Sequence, residues 1–153
     1  MNLEQLGDLG DFLGGIGVIV TLAYLAVQIR HNTGAARAAT LQQWVTMTAT
    51  VNMPLSQSGE FARIYRAGCE DSKHLPPQER SQFNAYCLQI FNAFESLFFQ
   101  AQQGAVDRVF FESKVQLMRG TLAPPGIRSW WDRIGSQNFD CRFRQFVARE
   151  LLP

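Results

Sequence analysis

Residues Phe12 to Val27 read FLGGIGVIVTLAYLAV, a run without a single charge. Adding Leu9-Gly10-Asp11 before it and Gln28-Ile29 after it brings in only one acid and one amide, both near the ends. An α-helix of about 20 residues crosses the ~30 Å hydrocarbon core of a bilayer. The stretch therefore predicts a membrane-spanning helix, with its polar flanks at the interfaces. The competing reading is a buried helix of a soluble domain. It would have to absorb Gly10, Gly14, Gly15 and Gly17, each costing about 1 kcal/mol relative to alanine in a water-soluble helix. In lipid the alternative to a helix is unsatisfied backbone, so glycine is tolerated there. A secretory leader is disfavoured, because the preceding residues are acidic and no small-x-small cleavage site follows a short apolar core.

The flanks set the expected orientation. Residues 1–29 carry Glu4, Asp8 and Asp11 and no Lys or Arg, whereas all 14 Lys and Arg lie in residues 30–153. Arg30 and Arg37 follow the helix directly. The positive-inside rule then places the C-terminal domain in the cytoplasm and the N-terminus outside, in a single-pass protein of the inner membrane. Within the helix, Gly7, Gly10, Gly14, Gly17, Thr21, Tyr24 and Gln28 recur at alternating steps of three and four. They share one face and contain a GxxxG, which lets helices approach closely in lipid. Leu13, Ile16, Val20, Ala23 and Val27 form an opposite face suited to acyl chains. The stripe predicts a helix-packing interface, with a larger integral membrane complex or with a second copy. A phosphate-binding loop is disfavoured, as no strand precedes the glycines and no GK[ST] follows.

Beyond residue 30 strand signals are nearly absent, and the fold class expected is all-α. One N-terminal transmembrane helix (domain 1–30) precedes a bundle of about five helices (domain 31–153). Residues 34–52 are Ala-rich and would extend the first helix, with Asn32-Thr33-Gly34 a candidate break and Pro54 its end. Ser58 caps a helix over Glu60–Cys69. Pro76-Pro77 starts the longest soluble helix, which Gly104 closes. Its residues Phe83, Tyr86, Cys87, Ile90, Phe91, Phe94, Leu97 and Phe98, with Leu88 and Phe99, make it apolar nearly all round, as a central bundle helix is. Further helices are expected over Val106–Gly120, Ile127–Ile134 and from Asn138 to the end.

Twelve Phe in 153 residues indicate an aromatic core or contact surface, and a net charge of +1 without a basic run excludes a nucleic-acid footprint. Cys69, Cys87 and Cys141 are odd in number and widely spaced, the pattern of free reduced thiols without a metal site. Glu95, set among aromatics, reads either as an acid–base group or as a structural carboxylate paired with Arg119 or Arg128; the second is preferred, since no second acid or His accompanies it. His31 at the membrane edge and His74 in a loop read as polar flanks rather than axial ligands. Ser96 and Ser113 lack a base in pattern. Trp130 and Trp131 with Arg128 and Arg133 form a possible partner or interface patch, against the plainer reading of one ring in the core and one partly exposed.

Leu9–Thr33, with its GGIGV and YLAVQIR-x-NT segments, resembles the opening of a family of small uncharacterised bacterial proteins. Phe61–Gly68, Phe94-Glu95, Phe98–Gln100 and Arg128–Trp131 are similar to it as well. The resemblance implies a membrane anchor and a helical domain, and it implies no catalytic residue, cofactor or metal. The function expected is a non-enzymatic accessory or structural subunit of a larger integral membrane complex, respiratory or photosynthetic, docking through the glycine-rich helix. The alternative is a self-associating membrane-anchored sensor or scaffold whose helical domain binds a ligand or a protein.

Overall fold

The structure is a computed structural model; it describes residues 14–152 in full and residues 3–13 as helical backbone alone. The protein is all-helical, and no strand occurs among the described residues. Helix α1 runs Leu3–Gln57, followed by α2 (Gly59–Asp71), a 3-10 turn at Ser72–His74, α3 (Pro77–Gln102) and α4 (Arg108–Leu122). Helix α5 (Pro125–Trp130) passes through a π-turn at Trp131–Gly135 into α6 (Ser136–Asn138), and α7 (Cys141–Phe146) ends in a second π-turn at Val147–Leu151. The chain divides into two compact units, Met1–Ala38 and Ala39–Pro153.

Two expected interruptions of α1 do not occur. The candidate break at Asn32-Thr33-Gly34 is helical throughout. The Thr33 hydroxyl donates to the Ile29 carbonyl at 2.8 Å, and the flanking Ala35, Ala36, Ala38 and Ala39 favour helix strongly enough to carry one glycine. Pro54 lies inside α1 rather than ending it. Only the bond into the Thr50 carbonyl is forfeited there, while the Pro54 carbonyl still accepts from the Ser58 N–H at 3.0 Å, so one more turn forms. In α1, the segment from Gly14 onward is long and apolar enough to cross a membrane.

The remaining boundaries follow local chemistry. Ser58 accepts from the Phe61 N–H and caps α2, Asp107 caps α4 through the Val109 and Phe110 N–H groups, and Asp140 caps α7 through Arg142. Helix α4 accordingly begins at Arg108, not at Val106, because Asp107 supplies the cap. Pro77 and Pro125 occupy first-turn positions, where a missing N–H costs nothing. Gly104 closes α3 with φ +71°, and the Ala105 N–H reaches back to the Gln100 carbonyl at 3.0 Å.

In the unit 39–153, α3 is the central element: Phe83, Cys87, Phe91, Ala93, Phe94 and Leu97 are fully enclosed. Phe91 lies at the middle of an aromatic cluster, 5.5 Å from Trp130, 5.1 Å from Trp131 and 6.3 Å from Phe139 between ring centroids. Phe143 continues it toward Phe98 and Phe146 at 5.6 and 6.4 Å. Such pairs contribute about 0.5–1.5 kcal/mol each beyond the area they bury. Trp44 and Val51, from the C-terminal part of α1, are buried in the same core.

Candidate functional site

The Trp130–Trp131 patch expected from sequence is corrected by burial. Trp130 is 0% and Trp131 3% exposed, so both indoles are core. The π-turn that starts at Trp131 brings Gly135 beneath both rings, where a β-carbon would approach Trp131 to 2.6 Å and Trp130 to 3.0 Å. Arg128 and Arg133 stay at the surface with Lys73, and the Arg133 guanidinium donates to the buried Ser72 hydroxyl at 3.4 Å.

Glu95 is structural in contact but not with the partner expected. Its Oε1 accepts from the Asp140 N–H at 2.7 Å, fixing the start of α7 on α3. Arg119 instead donates to the Glu150 carbonyl, and Arg128 is exposed. His31 is exposed on α1, and His74 pairs with Asp71 at 3.0 Å. Ser96 accepts from Gln100, and Ser113 donates to the Phe110 carbonyl. Among the described residues no three His, Cys, Asp or Glu side chains gather at metal-binding distance.

Of the glycine-stripe residues, the surroundings of Gly7 and Gly10 lie outside the fully described residues. Gly14, Gly17, Thr21, Tyr24 and Gln28 are all exposed, and a β-carbon at Gly14 or Gly17 would meet nothing within 4 Å. The Thr21 hydroxyl donates to the Gly17 carbonyl at 2.7 Å, so it is satisfied inside its own helix. The apolar side chains around it are exposed too, Ile19 by 68% and Val20 by 62%.

A second feature went unseen in the sequence. In the unit 39–153, a cleft of about 370 Å³ opens between the C-terminal part of α1, α3 and α4. Trp44, Val45, Leu55, Ile90, Phe94, Phe110 and Leu117 make its apolar wall, and Thr48, Asn52, Tyr65, Tyr86, Lys114 and Thr121 its polar groups. The Trp44 and Phe94 rings stand 5.6 Å apart. Most of the polar groups are already engaged. The Tyr86 hydroxyl donates to Asn52 Oδ1 at 2.9 Å, Asn52 Nδ2 donates to the Thr48 carbonyl, and the Thr48 and Thr121 hydroxyls donate to carbonyls of their own helices. Lys114 Nζ lies 4.8 Å over the Phe110 ring. Helical spacing places Phe110, Lys114, Leu117 and Thr121 on one face of α4, a signal available in the sequence. Their partners on α1 and α3 come from 16 or more residues away, which no local pattern reveals.

Burial beside the cleft holds its phenols neutral. Desolvation pushes Tyr86 up to about 12, with the neighbouring Cys87 and Cys69 adding to it. Burial likewise raises the Cys87 thiol, and Cys69 beside it adds to the effect. Folded Cys87 therefore keeps its proton above the ordinary value of 9.0, at which the unfolded chain releases one. Stability is fully present below that value and falls as pH rises through the window above it, by at most about 1.4 kcal/mol per pH unit per group. Thermal melts should be flat from pH 7.5 to about 8.5 and decline toward pH 10.5. Cys87→Ala should lessen the slope between pH 9 and 10; an unchanged slope would refute the assignment.

Comparison of the chain with protein-family models, with curated proteins and with solved structures returns no match.

Proposed function

We propose that the protein is a membrane-anchored, non-enzymatic accessory subunit, which docks onto a larger integral membrane complex through the glycine face of α1. The observation that carries this reading is the exposed segment Gly14–Ile29. Its large apolar side chains have no cover, and its glycine edge is open for the approach of another helix. In hydrocarbon, one side of such a helix faces acyl chains and the glycine side gains close van der Waals contact. Arg30 and Arg37 after the segment, with no cation before it, favour an inner-membrane, single-pass arrangement with residues 39–153 on the cytoplasmic side.

Purification in a mild detergent, followed by mass spectrometry, should recover stoichiometric partner subunits. Gly14→Leu and Gly17→Leu should release the protein from them while leaving the melting of the helical unit unchanged. A pure homo-oligomer, dispersed by the same substitutions, would favour the self-associating scaffold instead. Undisturbed assembly in both variants would count against either form of contact.

A further inference from the structure

The cleft between α1, α3 and α4 lies wholly within residues 44–121 and is independent of what Gly14–Ile29 packs against. We propose that it binds a free medium-chain carboxylate, its apolar chain along Trp44, Ile90 and Phe94 and its head group on Lys114.

Size decides first. At about 370 Å³ the cleft falls in the ~300–1,000 Å³ range of small-molecule sites. At ~30 Å³ for each water-sized group, it holds a ligand of roughly a dozen heavy atoms. One turn of a helix, about 5.4 Å long and at least 10 Å across with its side chains, would need all of that volume for a single turn. A peptide helix is therefore a poor occupant, and a short flexible chain is a good one.

Charge decides next. The walls carry one ionic group, Lys114, and no carboxylate. Among the described residues Lys114 has no ion pair, and Glu112, two positions away and therefore on another side of α4, pairs with Arg108 at 2.7 Å. A cation held over an aromatic ring at the edge of an apolar cleft is compensated by an anion brought in with the ligand. The hydroxyl donors of Thr48, Tyr86 and Thr121 are spent on protein acceptors, so a ligand with several polar groups along its length would lose hydrogen bonds to water without replacement. One anionic head on an apolar chain meets both conditions.

The test uses the full chain in lipid nanodiscs, with 9-bromodecanoate as the probe and quenching of tryptophan emission as the readout. Saturable quenching above that of Trp44→Phe is expected, since Trp130 and Trp131 are enclosed in the core. Lys114→Gln should weaken the saturable component at least tenfold, and Lys114→Arg should retain most of it. The neutral 9-bromodecanol should bind at least tenfold more weakly than the carboxylate. Equal binding of the alcohol, no shift in Lys114→Gln, or quenching no greater than in Trp44→Phe would each overturn the proposal. Lys114 is partly exposed and makes no ion pair among the described residues, so these variants leave the fold intact.

Discussion

Gly126→Ala is expected to destabilise the helical unit by about 3 kcal/mol or more, the largest effect expected of a glycine-to-alanine change among the described residues. A β-carbon at Gly126 would land on the Gly68 carbonyl oxygen and come within 2.8 Å of the Cys69 carbonyl. Both obstacles are backbone atoms of α2, which cannot turn aside as a side chain can. Gly68 is itself pinned, because a β-carbon there would strike the Phe83 ring of α3, with Cγ at 2.8 Å. Helices α5, α2 and α3 thus meet at two glycines in series, and a methyl group at the outer one must push α5 away from α2. A loss of this size lowers the melting midpoint by roughly 12–15 °C in a unit of about a hundred residues. Gly120→Ala is the control. It lies in α4 with nothing within 4 Å, so alanine there should gain about 0.5–1 kcal/mol from helix propensity. If both variants melt alike, the close approach of α5 to α2 is wrong.

Trp130→Ala should cost about 3–5 kcal/mol, a large share of the stability of a domain this size. The ring is completely enclosed and stacks on Phe91 with 23° between planes. Removing it leaves a cavity at the centre of the aromatic cluster, between α3 and α5. Trp130→Phe separates packing from polarity. The indole Nε1 is buried without a hydrogen-bond partner among the described residues, so phenylalanine removes an unsatisfied donor while keeping one ring in place. Its cost should stay below about 1.5 kcal/mol. Urea denaturation of the three proteins decides the matter; equal losses for Ala and Phe would mean that the N–H is satisfied and carries the effect. Neither variant should alter association with a membrane partner, because the ring is not at the surface.

The Trp130–Trp131 pair also marks where reading along the chain stops. Adjacent aromatics beside Arg128 and Arg133 read equally well as a surface patch or as core, since consecutive helical positions point about 100° apart. Their neighbours decide it: Phe91 of α3 packs on both rings, and Phe139 and Phe143 pack on Trp131. Glu95 behaves similarly. Its place among aromatics called for a partner, but the partner is a backbone N–H at Asp140, and backbone donors leave no mark in a sequence.

Local chemistry was legible in part. Phe12–Val27 by itself determined a long apolar helix, Ser58 determined where α2 begins, Pro77 and Gly104 determined where α3 begins and ends, and the stripe from Phe83 to Phe98 determined that α3 is central. These depend on contacts within one or two turns. Helix propensity over the neighbouring turns kept Asn32–Gly34 and Pro54 helical, while tertiary structure alone decided that both tryptophans are interior and that Trp44, Tyr86 and Lys114 share one cleft. Each of those outcomes is a balance of about 1–3 kcal/mol or a meeting of residues dozens of positions apart, and neither is set by the residues at the site alone.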